Sequence, residues 1–554
     1  MTWPIEPKPL PRRMHQASWD EPVIFELGQP GARGVLPPAL EPGIREAVGH
    51  PVAALPDTIR RPVPPKLPEL SQLHVLRHYD RLAQETVGVD TGIAVGMGTC
   101  TMKYSPKVND RFARDPRVTE LHPLQDEDTV QGILEIMWRL EQFLKEISGM
   151  DRVTLQPPSG SAAIWANVSM VRAYHASRSE GSQRDQVITT LFSHPSNAAA
   201  PRVAGYDVVT IYPDADGYPD LNALRAAASG RTAALLITNP EDIGLFNPRI
   251  AEFVQVVHDV GGLAVYDQAN ANGILGITRA REAGFDLCHF NLHKTFSTPH
   301  AGGGPGAGAS GVTAELARFL PGPTVEFDGS RYYLDHDRPD SIGKVRPFYG
   351  TTANIVRAYA WIMSLGAAGL REVAETAVLN NNYLMLRLLQ IAGLTAPFAP
   401  GKRRIEQVRY SWAGLAAQTG IHTEQIASRA ADFAVHYWFS HHPWVVPEPV
   451  TIEPTESYSM ADLDEFAAIF AAIAEEARTN PELVRTAPHR STIHQVDERV
   501  LDDDTTWALT WRAYLRKTGG SAPDAGQGAA REDETVAGPW VAPEAGQVVA
   551  VEAG

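Results

Sequence analysis

Apolar residues recur along this chain in two distinct periods. Over residues 69–86, Leu73, Val75, Leu76, Tyr79 and Leu82 fall on one helical stripe, and over 128–147 Val130, Ile133, Leu134, Met137, Leu140 and Leu144 repeat the pattern. From residue 153 the pattern shortens. Apolar runs at 153–155, 186–192, 207–212, 233–238, 264–267 and 287–291 alternate with helix-length segments, one of them 270–283. Repeated strand-helix units of this size predict a largely parallel sheet covered on both faces, whose ligands sit at the C-terminal strand ends.

Past residue 304 the pattern loosens, then turns helical over 354–365 and 370–389. A smaller C-terminal domain is expected there, with a strand at 409–412 and a helix over 421–438. Residues 1–70 are rich in proline and arginine and read as an arm that wraps another surface, or as a free tail. Residues 519–554 are rich in Gly, Ala, Pro and acid, so a mobile tail is expected. The division that follows is an arm and helix (1–90), a large domain (91–350), a small domain (351–515) and a tail (516–554).

Composition narrows the function classes. The chain of 554 residues is 44% hydrophobic and 21% charged, which suits a soluble globular protein of two or three domains. Its net charge of -16 argues against nucleic acid or an anionic membrane as partner. Two cysteines, Cys100 and Cys288, make neither a disulfide framework nor a metal cluster, and no metal site is expected. No export signal and no apolar run of membrane-spanning length is found, so a cytoplasmic protein is expected.

The chemistry gathers at the strand ends. Asn291-Leu292-His293-Lys294-Thr295-Phe296 places a lysine at the end of an apolar run, followed by a glycine-rich stretch from Ala301 to Gly306. A partly desolvated lysine amine forms a Schiff base with a carbonyl compound, and pyridoxal 5'-phosphate (PLP) is the obvious one. A snorkelling surface lysine is the alternative. The strand ahead of it ends in Tyr266-Asp267-Gln268-Ala269-Asn270, and a buried Asp267 would pair with the pyridine nitrogen of PLP, although alone it could cap a helix. Ser159, Gly160 and Ser161, between a strand and a helix, form a candidate phosphate cradle; a plain serine cap is the alternative.

His194 could stack on the cofactor ring or carry a proton, or be an ordinary loop residue. Asn239 could bond a phenolic oxygen or cap the turn before Pro240. Arg409 could clamp a substrate carboxylate or sit in a surface ion pair. The irregular segment 96–106 is a further candidate site lining.

With these residues in place, the chain resembles the PLP-bearing second subunit of glycine decarboxylase, the P-protein of the glycine cleavage system. The resemblance spans residues 23–495. It rests on Thr99-Cys100-Thr101-Met102-Lys103-Tyr104, Leu155-Gln156-Pro157, Thr238-Asn239-Pro240, Asn291-Leu292-His293-Lys294-Thr295-Phe296 and Ile452-Glu453-Pro454-Thr455-Glu456. It implies a fold-type I (aminotransferase-like) α/β enzyme with a large parallel-sheet domain and a small C-terminal α+β domain. Lys294 would carry the cofactor, Asp267 would pair the ring nitrogen and His194 would stack on the ring, with Ala269 and His293 also at the cofactor. The implied reaction decarboxylates glycine and passes the aminomethyl group to lipoyl H-protein. A first-subunit-like chain is the implied partner, in a homo- or hetero-oligomer.

The departures lie near the chemistry. The family has Asp-Gly-Ala-Asn where this chain has Asp267-Gln268-Ala269-Asn270, His-Gly-Thr-Asn against His194-Pro195-Ser196-Asn197, and Pro-Ala-Ala-Gly against Pro157-Pro158-Ser159-Gly160. A Cys-Met-His-Glu-Phe stretch is missing around residues 405–412. Gln268 adds bulk where substrate is expected, and this altered shell as a whole opens the alternative of a divergent fold-type I PLP enzyme acting on a different amino acid, as a decarboxylase or carbon-carbon lyase. A non-catalytic regulatory paralogue is the third reading, and the Lys294 and Asp267 pair speaks against it.

Overall fold

The structure, a computed structural model, describes residues 11–12, 14–61, 67–93, 96–97, 100–298, 304–435, 437–438, 445–492, 494–495 and 507–517. The chain falls into two compact units, residues 1–495 and 496–554. In the first, α1 (Pro42–Val48) and α2 (Gln72–Gln84) precede a short strand, β1 (Gly96–Met97), and α3 (Lys107–Ala113), α4 (Pro116–Thr119) and α5 (Gln131–Ser148) follow it.

The central alternation comprises β2 (Arg152–Thr154), α6 (Gly160–Ser177), β3 (Gln186–Thr190), α7 (Ser196–Val203), β4 (Asp207–Ile211), α8 (Leu221–Ala227), β5 (Thr232–Thr238), α9 (Ile250–Asp259), β6 (Leu263–Gln268), β7 (Leu287–Asn291) and β8 (Gly308–Val312). A hairpin of β9 (Thr324–Phe327) and β10 (Tyr332–Asp335) leads to α10 (Thr352–Leu388). Then come β11 (Val408–Ser411), α11 (Ala413–Thr419), α12 (Thr423–Ala431), β12 (Tyr437–Trp438), β13 (Pro449–Ile452), α13 (Met460–Thr479) and α14 (Pro481–Arg485). The described part of the second unit contains one helix, α15 (Trp511–Lys517).

Seven strands form the main sheet in the order β2-β8-β7-β6-β5-β3-β4. The contiguous set β7, β6, β5, β3 and β4 pairs in parallel, and β8 runs against both of its neighbours. The period of two decides which residues meet which layer. Leu235 and Ile237 of β5 face a core with α5, α9 and α10, whereas Ala234 and Leu236 face α6. Strands covered on both sides read as continuous apolar runs, as Thr-Ala-Ala-Leu-Leu-Ile-Thr does in β5. A separate apolar core joins the end of α10 (Leu384, Leu388), the antiparallel pair β11 and β13, and α13.

Local signals explain several boundaries. α5 stops at Gly149, which takes a left-handed φ of 73°. α6 starts where Ser159 Oγ accepts the Ala162 N–H at 3.1 Å, directly after Pro157-Pro158. α10 breaks at Gly366 (φ 64°), between the two helical stretches read from the sequence. The arm is tied down near its start: Arg12 pairs with Glu465 of α13 at 3.0 Å, and Glu21 meets His78 and Arg81 of α2.

Three expectations need correction, and two strands gave no signal. Residues 270–283 form turns and a three-residue 3-10 element (Arg281–Ala283) instead of a helix, because Asn270, Asn272, Gly273 and Gly276 interrupt it. The helix expected over 421–438 ends at Ala431; Ala434 turns left-handed (φ 59°) and β12 follows. Strands β8 and β13 carry no clear periodic signal, since β8 reads Gly-Ala-Ser-Gly-Val and β13 is short. The stripe on α2 is turned partly outward, with Leu73, Leu76 and Tyr79 exposed. The expected tail, 519–554, and residues 301–303 of the glycine-rich stretch lie outside the described residues. Among the described residues no helix is long and apolar enough to cross a membrane.

Candidate active site

Parallel strands bring their C-terminal ends to one edge of the sheet, and the candidate residues collect there. Asp267 ends the α6-facing row of β6 and is 3% exposed. Its Oδ2 accepts the Asn197 Nδ2–H at 2.7 Å, its Oδ1 accepts the Ala269 N–H at 2.9 Å, and His289 Nε2 lies 3.1 Å from Oδ1. Burial by itself would raise this carboxyl. Nearby His289, the Ala269 N–H and the charge of His194 outweigh it and hold Asp267 below the ordinary carboxylate range.

Lys294 lies three residues beyond β7, buried at 7% exposure, with its backbone N–H donating to Asn291 O at 3.0 Å. The loop that carries it is clasped from two sides. Thr295 Oγ1 accepts the Ala271 N–H at 3.0 Å, and Ser105 Oγ donates to Ser297 O at 3.0 Å. His293 Nδ1 sits 2.9 Å from Ala307 O and 3.1 Å from Ala307 N, so its ring is held by the backbone entering β8.

The start of α6 is built tightly against β7. A Cβ on Gly160 would come within 2.5 Å of the Asn291 side-chain amide, whose buried Oδ1 has no hydrogen-bond partner. Ser161 Oγ meets Ser196 Oγ, at the start of α7, at 2.7 Å. Two helix N-termini thus converge beside exposed His194, whose Nδ1 accepts the Ser196 N–H at 3.1 Å.

Three sequence candidates take other positions. The alternation of β6 places Asp267 with Val265 on the α6 side and Gln268 with Tyr266 and Ala264 on the opposite one. Gln268 is therefore buried on the side of β6 opposite Asp267. Asn239 has both amide atoms on the Asn247 backbone, accepting its N–H at 2.7 Å and donating to its C=O at 3.3 Å. It closes the loop after β5. Arg409 is buried, not on the surface: it pairs with Asp242 and lies 5.9 Å from the Phe192 ring.

Sequence reasoning missed a polar layer behind Lys294. Glu453, directly after β13, accepts the Thr101 hydroxyl at 2.7 Å. Lys103 pairs with Glu456 at 3.0 Å, donates to Asn272 Oδ1 at 2.6 Å and lies 4.7 Å from the Trp361 ring. Burial pushes the Glu453 carboxyl up to about 7, opposed by Thr101, Asn270, Lys294 and Lys103. Burial also pushes Glu406 well above the carboxylate range, helped by the charge of Glu453. The available signal was Ile452-Glu453-Pro454-Thr455-Glu456, two carboxylates at the end of an apolar strand.

Comparisons with known proteins agree with this architecture. Residues 167–326 match the family model "Aminotransferase class-V", and residues 373–491 match "Glycine dehydrogenase, C-terminal domain". A crystal structure of glycine decarboxylase (P-protein) of the glycine cleavage system, in inhibitor-bound form, superposes with a TM-score of 0.65 at 20% identity. It covers 79% of this chain and 100% of that one, a likeness of fold. The "Probable glycine dehydrogenase (decarboxylating) subunit 2" of Pyrococcus horikoshii is 45% identical over 502 residues, 90% of this chain and 97% of the relative. The protein of the same name from Thermococcus kodakarensis is 45% identical over 504 residues, with the same coverage. By identity at this level across nearly the full length of both chains, this chain belongs to the glycine dehydrogenase (decarboxylating) subunit 2 family.

Proposed function

We propose that this chain binds PLP on Lys294 and decarboxylates glycine, delivering the aminomethyl group to lipoyl H-protein in company with a first-subunit-like chain. As a member of its family it is an enzyme. The observation that carries the cofactor assignment is the pairing of two buried groups at one sheet edge, Asp267 held ionised at the end of β6 and Lys294 just past β7. A buried carboxylate with this environment is suited to hold a proton on a pyridine nitrogen.

The cradle fits the group. The tight Gly160 and Asn291 contact and the start of α6 offer backbone N–H donors and a helix dipole to a phosphate, with Ser159 and Ser161 beside them. Bound there, PLP supplies an electron sink for the pair left when carbon dioxide departs. Lys294 provides the amine that holds the cofactor, and Asp267 keeps the ring nitrogen protonated. His194 is offered to the ring face, while Ala269 fixes the Asp267 carboxylate through its N–H. We assign residues 91–350 to the cofactor-binding domain and 351–515 to the small domain. Arg409 acts on a substrate carboxylate only if its pair with Asp242 opens.

The reading with another amino acid as substrate rested on the departures at Gln268, Pro195-Ser196, Pro158-Ser159 and residues 405–412. Gln268 is turned to the side of β6 opposite Asp267, and relatives at 45% identity carry the glycine dehydrogenase name, which supports glycine. The test is an absorbance spectrum of the purified chain, then glycine titration and exchange of labelled carbon dioxide into glycine with lipoylated H-protein and the partner chain. A lysine-linked band that responds to glycine, with exchange, is the expected result. A band that ignores glycine and responds to another amino acid overturns the substrate assignment.

A further inference from the structure

Five consecutive residues ahead of α3 are each bonded to a distant part of the chain. On one side lies the segment after β13. Thr101 Oγ1 donates to Glu453 at 2.7 Å, Tyr458 Oη donates to Met102 O at 3.2 Å, Lys103 pairs with Glu456 at 3.0 Å, and the Tyr104 N–H donates to Ser457 Oγ at 3.2 Å. On the other side lies the loop that carries Lys294. Ser105 Oγ donates to Ser297 O at 3.0 Å, and Ser297 Oγ donates to Tyr104 O at 2.5 Å. The side chain of Lys103 joins the two sides.

Lys103 is 1% exposed, and a buried ammonium is costly unless its surroundings meet its charge and its N–H groups. Burial pushes its amine down, and the Glu456 carboxylate opposes that shift. Two further contacts lead from Lys103 toward Lys294. Nζ lies 4.7 Å from the Trp361 ring, and that ring meets the Phe296 ring of the Lys294 loop edge-on, with centroids 6.1 Å apart. Nζ also donates to Asn272 Oδ1 at 2.6 Å.

Asn272 closes a short turn after β6 whose residues are bonded in order. The Ala269 N–H donates to Asp267 Oδ1 at 2.9 Å, the Ala271 N–H to Thr295 Oγ1 at 3.0 Å, and the Asn272 N–H to Asn270 Oδ1 at 3.1 Å. One turn therefore touches both Asp267 and the residue that follows Lys294. The Asn272 amide is fully buried and its Nδ2 has no hydrogen-bond partner, so its oxygen, on Lys103, orients the side chain. A neutral side chain in place of Lys103 could not serve a carboxylate, an amide oxygen and an indole face together.

We infer that Lys103 is a positioning residue for the proposed reaction, fixing the Lys294 loop, through Asn272 and Trp361, against the turn that holds Asp267. The inference rests on the reading of Lys294 and Asp267 as the two partners of the cofactor. Those two groups stand at the ends of different strands, each followed by irregular chain, and a rigid ring must reach both at once. A misplacement of about 1 Å at such a site costs about 100-fold in rate.

Lys103→Met keeps the length of the side chain and removes its ammonium. In the cofactor-free chain, amide hydrogen exchange over residues 269–273 and 292–298 should quicken, while β3 and α13 stay as protected as in wild type. With PLP, lipoylated H-protein and the partner chain, exchange of labelled carbon dioxide into glycine should slow by about 10- to 100-fold, with KM for glycine within about twofold. Asn272→Leu should loosen the same two segments, and the double variant should be no slower than Lys103→Met, because the single changes remove one shared contact. Unchanged protection of 292–298 in Lys103→Met, or losses that add in the double variant, would overturn the inference and leave Lys103 an ordinary buried ion pair. If Lys103→Met fails to fold, normal protection of 292–298 in Asn272→Leu overturns it. A wild-type chain that forms no lysine-linked band defeats the Lys294 reading and the positioning role with it, whereas a normal band with an unmoved loop defeats the role of Lys103 alone.

Discussion

Asp267 and His289 occupy partnered positions on neighbouring parallel strands, and His289 Nε2 lies 3.1 Å from Asp267 Oδ1 in an environment closed to solvent. The strand register therefore sets the electrostatics of the site. A carboxylate so buried is kept charged because His289, the Ala269 N–H, the Asn197 amide and His194 favour that form.

Asp267→Asn removes the charge and keeps the shape. The variant should still bind PLP through Lys294 and the start of α6, but turnover should fall by about 100-fold or more as the ring nitrogen loses its proton. Comparing bound cofactor with the glycine exchange rate checks this. Near-normal exchange would count against the pairing with the ring nitrogen.

Lys294→Ala should bind the cofactor without any lysine-linked absorbance, and exchange should be lost. The band is read before and after borohydride reduction, which fixes PLP to the wild-type lysine and leaves the variant unlabelled. A labelled variant would place the linkage on another residue.

Glu241 offers a stability test. It is fully buried, bonded by the Thr190 hydroxyl, and burial raises its carboxyl to about 8 from an ordinary 4.5. The folded state then keeps a proton that the unfolded state releases, so stability falls as pH rises from 4.5 to 8, by about 1.4 kcal/mol per unit at most. Glu241→Gln should flatten that decline while accepting the same hydroxyl. Urea unfolding of the cofactor-free protein at pH 6 and pH 8 measures it, and equal declines in the two proteins would refute the assignment.

Arg409→Ala should leave Asp242 buried without its cation and cost about 3–5 kcal/mol of stability. Replacing Asp242 with alanine as well should recover part of that loss. If Arg409→Ala instead raises KM for glycine with little change in stability, Arg409 is the carboxylate clamp.

The elements legible in the sequence were those with long or repeated patterns. α5, α6, both halves of α10 and the parallel strands β3 to β7 follow from apolar periodicity and from turn residues at their ends. β8 was hidden because four of its five residues are glycine, alanine or serine, chosen by close packing: a Cβ on Gly308 would lie 2.7 Å from Ser159 O. The extent of α12 was hidden because its composition continues past the point where the backbone turns.

Within the site, the sequence alone determined that a lysine and an aspartate stand at strand ends and that a glycine and two serines open a helix. Those are local facts, carried by residues near one another in the chain. Only the tertiary structure decided that His289 meets Asp267 and that Glu453 meets Thr101 near Lys294. Each depends on strand register or on the docking of a segment more than 150 residues away. Burial then acts on these groups through what surrounds them in space, which is why their protonation could not be read from the order of residues.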